Sequence, residues 1–353
     1  MKRRALVAKS MTLAVAGLAG CSSSESSGTE TTDESVGNQT TAENSENKPT
    51  TESSDNDGAR GPEDAVTFYN SALDLLEQNA EELDEARQEL IETQDVPDFD
   101  ATGINSRISE ARRLLERAES SDDGSLSDEI EALRTITSYQ ETVVEYNEAY
   151  LSLVELIGTG LDEYNDGRHE SAIEVLEDAN QQIEPTNSLL EEVSEKLDET
   201  INSVEQSDID DSTVEQLILL DEQNKETQIE ITIMEHLIPA RMNEIEGDLY
   251  FQQGYNAIEN ESYDDARSHF SNAWNLFDVG ITELEKIDVN QNTAYIESLI
   301  NNVSSLICEY EYSKDAADDL EKAVDAAQSG DSAEAEEYLD EADSNISKID
   351  TCW

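Results

Sequence analysis

The sequence predicts an all-α protein: an elongated array of antiparallel helical hairpins, preceded by a signal peptide and a disordered acidic Ser/Thr-rich linker. Three observations carry that expectation. Beyond Gly61 the chain turns to Leu, Ala, Glu, Gln and Arg, with apolar residues recurring three and four positions apart. Only Pro62, Pro97, Pro185 and Pro239 interrupt this stretch, so little in it opposes long helices. A turn followed by a helix bearing small, large and small residues at fixed offsets also returns four times. The expected organisation is a signal peptide over 1–20, a linker over 21–61 and an all-helical, repeat-like domain over 62–353.

Taken in order, long helices are expected over 63–94, 127–164, 212–259 and 290–328. Shorter returning helices follow over 104–120, 169–205 with a bend at Pro185, 262–286 and 331–349. Val96-Pro97-Asp98-Phe99-Asp100 and Ser120-Ser121-Asp122-Asp123-Gly124 read as loops. Ile229 to Ile233 alternates like a strand, yet it lies within a helical pattern and is too isolated to build a sheet. The last hairpin has the clearest register. One seam runs through Ile296, Leu299, Val303, Leu306, Tyr310, Ala317, Leu320, Val324 and Ala327, with Ser313 as its only polar member. A second runs through Ala335, Leu339, Ala342, Ile346, Ile349 and Trp353. Folding at Gly330 sets Leu320 against Leu339 and Leu306 against Trp353.

The recurring unit is Gly167, His169, Ala172, Leu176, Ala179. It returns as Glu261, Tyr263, Ala266, Phe270, Ala273 and as Gly330, Ser332, Ala335, Leu339, Ala342, with a fainter copy at Ser106, Ile108, Ala111, Leu115, Ala118. Small residues admit the preceding helix closely while the large one fills the gap. The stretch Tyr164 to Ala172 resembles the turn and second helix of a tetratricopeptide repeat, with Glu184-Pro185 where that repeat often ends. The copies lie roughly 60, 95 and 70 residues apart instead of 34 or so, which implies longer first helices or a helical bundle in place of a standard peptide-binding superhelix.

At the N-terminus, Lys2, Arg3 and Arg4 precede an apolar run from Ala5 to Ala16, and Leu18-Ala19-Gly20-Cys21 follows. This resembles the lipobox of secreted lipoproteins, which implies cleavage before Cys21 and a lipid on its thiol. Arg3-Arg4-Ala5-Leu6-Val7 resembles a twin-arginine export signal. Together they imply a cell-membrane protein, lipid-anchored and facing outside. Ser22 to Gly61 has almost no apolar residue and is expected to remain disordered, a tether holding the folded part roughly 40 Å or more from the membrane. Its Ser/Thr density resembles O-glycosylated stalks.

A formal charge of -63, from 84 acidic against 21 basic side chains, only nine of them lysine, resembles the composition of salt-loving archaeal proteins. Such a surface repels itself unless salt near 1 M shrinks the Debye length to about 3 Å, so the fold is expected to depend on salt. Nucleic acid is not an expected partner, because no cluster of Lys and Arg beyond residue 4 stands ready to displace phosphate counterions. Membrane attachment therefore rests on the lipid at Cys21.

No residue set points to catalysis, a metal or a cofactor. His169, His236 and His269 lack the spacing of a zinc site and suit structural roles. Carboxylates are too abundant for any pair to be informative. Tyr139, Tyr146, Tyr150 and Tyr164 fall on or near the seam of the second long helix, and Tyr250 and Tyr255 on the third. They suit either core packing or a groove lined by aromatic rings that receives a partner's helix or tail. Asn38, Asn260, Asn302 and Asn345 are sequons for N-linked sugar. With Cys21 lipidated, Cys308 and Cys352 are left to pair, and folding at Gly330 sets them level. The expected function is a helical protein-interaction or scaffold module at the cell surface, with a protein partner there. The alternative is a ligand-binding or transport-associated lipoprotein.

Overall fold

Helical periodicity runs unbroken through most of the chain, and the computed structural model, which describes residues 62–93, 97, 99–207, 211–289 and 293–353, is all-helical with no strand among them. The helices are α1 (Pro62–Thr93), α2 (Ala101–Ser121), α3 (Ser127–Asn165), α4 (His169–Glu205), α5 (Asp211–Glu259), α6 (Tyr263–Leu284), α7 (Ala294–Ser329) and α8 (Ser332–Ile349). The signal peptide, Cys21, the linker and Asn38 lie outside the described residues. No described helix is long and apolar enough to cross a membrane.

Local chemistry sets many of the boundaries. Pro62 occupies the first helical position, where its missing N–H is not needed. Asp100 accepts from the Gly103 N–H at 3.0 Å, Thr293 from Ile296 at 3.3 Å and Asp331 from Glu334 at 3.2 Å, each satisfying a donor of the first turn. The expected bend at Pro185 does not interrupt helical structure, because α4 continues through it to Glu205. Ile229 to Ile233 lies within α5, where side-chain burial, not alternation, decides its state.

Three elbows are built alike. Gly167, Glu261 and Gly330 all adopt left-handed backbone, with φ of 79°, 59° and 87°. In each, the next residue's N–H reaches back five positions: Arg168 to Glu163, Ser262 to Ala257 and Asp331 to Ala326, at 2.9, 2.8 and 2.9 Å. The left-handed residue's own N–H reaches back three positions, so two orphan carbonyls are satisfied at each turn. The faint copy at Ser106 is different. Ser106 sits inside α2 with no turn, and only the buried face of Ala111, Leu115 and Ala118 is shared. Glu261 alone places a side chain in this strained region, so Glu261→Gly is expected to stabilise the protein by about 0.5–1 kcal/mol in denaturant unfolding. A loss of stability would show that the elbow tolerates Glu without strain.

Each helix packs chiefly on the one before and the one after it, and the core is divided accordingly. In two of the three elbowed hairpins the large residue of the returning helix meets a glycine on its long partner. A Cβ at Gly160 would come within 2.8 Å of Leu176, and one at Gly254 within 2.6 Å of the Phe270 ring. The third hairpin departs from this. Ala323 stands where the other two long helices carry glycine, and Leu339 is 42% exposed. The expected seams are corrected at two positions: Ala335, Ala342 and Ile349 of α8 are buried while Leu339 faces outward, and Ala327 of α7 is exposed. Trp353 is also 36% exposed, its indole donating to Glu309 at 3.3 Å.

Candidate functional site: a tyrosine-floored cleft

The tyrosines of α3 follow helical spacing, so Tyr139, Tyr146 and Tyr150 share one face, and all three are buried. The rings of Tyr146 and Tyr150 stack with centroids 5.7 Å apart. This face floors a cleft between α1, α3 and the first half of α5, with a cavity volume of about 180 Å³. Leu83 of α1, Phe99 of the α1–α2 connection and Leu220 of α5 complete its apolar wall. Tyr164 does not join them: its hydroxyl donates to Asp248 of α5 at 2.6 Å. Tyr250 leans on His269 with centroids 5.8 Å apart, and Tyr255 stands edge-on to Phe270 at 5.6 Å.

The cleft floor is held by a buried polar network. Gln140 donates to the Leu76 carbonyl at 2.8 Å and accepts from Asn79 at 3.1 Å. Arg107 of α2 donates to Asn79 at 2.6 Å and pairs with Glu82. Each buried amide so fixed rigidifies the junction of α1, α2 and α3 on which the aromatic floor rests. Arginines do gather on α2, contrary to the expectation of no basic cluster beyond the N-terminus. They are engaged within the fold: Arg112 with Glu141, Arg113 with Glu110, and Arg117 over the Phe68 ring at 3.9 Å.

The histidines serve the elbows and helix contacts. His169 begins α4, donates from Nδ1 to the Gly167 carbonyl at 3.1 Å and approaches the Gln252 amide at 3.4 Å. His236 Nδ1 lies 3.6 Å from Glu283. Of the described sequons, Asn260 is exposed at an elbow. Asn345 donates its amide to Asp319 at 2.9 Å, and the Asn302 amide nitrogen is buried within the packing of α7. A sugar is attached at that nitrogen, which Asn260 also engages, donating to the Asn256 carbonyl at 2.7 Å; Asn260 differs in being exposed. Cys308 and Cys352 are joined in a disulfide with Cα atoms 5.8 Å apart.

Two features escaped sequence reading. One is the junction network, whose only trace is polar Asn79 and Gln140 on otherwise apolar faces. The other lies in the core: Arg241 donates to Glu244 at 2.6 Å, and the Tyr310 hydroxyl lies 3.0 Å from Glu244 and 3.1 Å from the Ala240 carbonyl. Its trace is an arginine in an apolar run with glutamate three positions on. Burial, reinforced by Glu244, holds the Tyr310 hydroxyl well above its usual range, and burial with Asp248 does the same for Tyr164. Tyrosine in the unfolded chain ionises near pH 10, whereas these two keep their protons to higher pH. The unfolded state therefore binds fewer protons above about pH 10, and stability falls there. Thermal midpoints measured across that range should decline, and less steeply in a Tyr164→Phe variant; a flat profile would contradict this.

Comparison with protein-family models, with curated proteins and with solved structures gives no match to this chain. Function is therefore argued from the site alone.

Proposed function

We propose that this protein is a lipid-anchored, extracytoplasmic interaction module whose helical array holds a partner protein at the cell surface through the tyrosine-floored cleft. The observation that carries the reading is the cleft itself: an apolar, aromatic recess fixed by a buried network on a chain whose surface is otherwise dominated by carboxylates. Its volume lies below the several hundred Å³ of small-molecule pockets, which favours an inserted side chain over the ligand-binding alternative. The lipobox-like segment at Cys21 supplies the anchor, and the polar linker supplies the reach.

Cys21→Ser should release the protein to the medium or leave the precursor uncleaved; unchanged membrane association with normal processing would refute the anchor. For the cleft, membranes solubilised in high salt should yield one stoichiometric partner with the parent chain. Leu220→Glu should lose it, and Leu339→Glu, on the exposed face of α8, should keep it. Equal recovery with both variants would exclude the cleft as the contact surface.

A further inference from the structure

The cleft also specifies what enters it, an inference that rests on its being the contact surface. An apolar cavity of about 150 Å³ admits one benzene ring, so about 180 Å³ holds a single six-membered ring with a short substituent. Tyr139, Tyr146 and Tyr150 line the floor, and an aromatic lining suits contact with another ring. Asn224 lines the same cleft, and its buried amide nitrogen has no hydrogen-bond partner among the described residues. A buried amide N–H lacking an acceptor is destabilising, and a carbonyl relieves it once the Asn224 side chain rotates toward the cleft, since the nitrogen has no accessible surface in the unliganded fold.

Charge narrows the occupant further. Among the described residues lining the cleft Asp84 alone is charged, and the rest of the lining is apolar or neutral, which suits an inserted group that is mostly apolar and carries no negative charge. Around it, Glu81 and Glu85 of α1 and Glu145 and Glu148 of α3 are exposed at positions adjacent to the lining. An acidic segment is repelled there, whereas a segment carrying Lys or Arg is drawn in.

We propose that the cleft receives one aromatic side chain of a partner protein, presented on a segment with basic flanking residues, with the segment's backbone carbonyl accepting from the Asn224 amide.

The mature full chain is titrated with blocked tripeptides, read by saturation-transfer NMR and by shifts of the tyrosine resonances. Acetyl-Lys-Phe-Lys-amide should bind with a dissociation constant on the order of 1 mM, as expected for one ring and few other contacts. Acetyl-Lys-Ala-Lys-amide should bind at least about tenfold more weakly, because it buries no ring. Acetyl-Glu-Phe-Glu-amide should also be weaker, by a margin that shrinks as salt rises. Asn224→Leu should weaken the Phe peptide by about 2- to 10-fold. Val143→Trp, which fills the cleft, should abolish binding while far-UV circular dichroism remains that of the parent.

Equal binding of the Phe and Ala peptides would overturn the proposal, as would indifference to both substitutions. Phenol binding more tightly than the Phe peptide would assign the cleft to a free small molecule. If the Phe peptide fails while Leu220→Glu still loses the membrane partner, the cleft remains the contact surface and the aromatic anchor is wrong. If both fail, the functional reading falls with it.

Discussion

Replacing Arg241 by Met is expected to destabilise the protein by about 3–5 kcal/mol, the usual consequence of leaving a buried carboxylate without its cation. Arg241 is 1% exposed and Glu244 4%, and the guanidinium donates to Glu244 at 2.6 Å. Burial alone disfavours the arginine's charge. The carboxylates of Glu244 and Glu309 around it outweigh that and hold its pKa above the ordinary arginine range. The assembly is closely fitted: a Cβ at Gly280 would come within 2.9 Å of the Tyr310 ring. Removing the cation leaves Glu244 with the Tyr310 hydroxyl as a neutral donor, too little to replace a charge-assisted bond. The double variant Arg241→Met with Glu244→Leu removes the directly hydrogen-bonded pair and should recover part of the loss, because Glu309, 4% exposed, keeps its charge beside the vacated site. Denaturant unfolding of the three proteins in high salt reads this directly. A single variant within about 1 kcal/mol of the parent would mean that water or backbone shifts accommodate Glu244.

Cys352→Ser is expected to cost about 4 kcal/mol, a similar loss with a different origin. The bond closes a loop across a sequence separation of 44, and the chain-entropy estimate for such a loop lies near that value. The loss should be local. The disulfide ties the turn after α8 to the middle of α7, and it keeps Ile349 buried and the Trp353 indole within reach of Glu309. In an array whose helices pack chiefly on their chain neighbours, the terminal hairpin can open without the rest. Amide exchange in α8 should therefore accelerate by about 10³-fold while α3 and α4 keep their protection, since each 1.4 kcal/mol or so is a factor of ten. Adding reductant to the parent chain should reproduce the effect. Two free thiols by alkylation of the unreduced mature protein would remove its basis.

The helices were legible because their signals are local. Spacing of apolar residues, the scarcity of proline and the glycines at 167 and 330 depend only on near neighbours, and the expected boundaries fall within a few residues of those observed. The level placement of residues 308 and 352 followed from counting outward from Gly330. What the count could not supply was facing, because that depends on the turn beyond Ile349, where Thr351 and Cys352 donate back to Lys348 and Ile349. The error at Leu339 has the same character. Its spacing is that of Leu176 and Phe270, but Ala323 stands at the position of their glycines, and α8 packs chiefly on α7 while α4 and α6 each pack between two helices.

The candidate site was legible in part. Tyr139, Tyr146 and Tyr150 announced an aromatic face, but nothing in the sequence said whether another helix would cover it. Leu83, Phe99, Leu220 and Asn224 come from three separate segments and converge beside the tyrosines of α3 only in the folded chain. By itself, then, the sequence determined the helices, their hairpin order, the elbows and the surplus of negative charge, all of which arise from composition and short-range periodicity. The tertiary structure alone decided which tyrosines remain beside open space, which arginine is buried with its glutamate and which large residue is turned outward. Those outcomes depend on the volumes left between helices distant along the chain, and a periodic pattern carries no measure of the gap it faces.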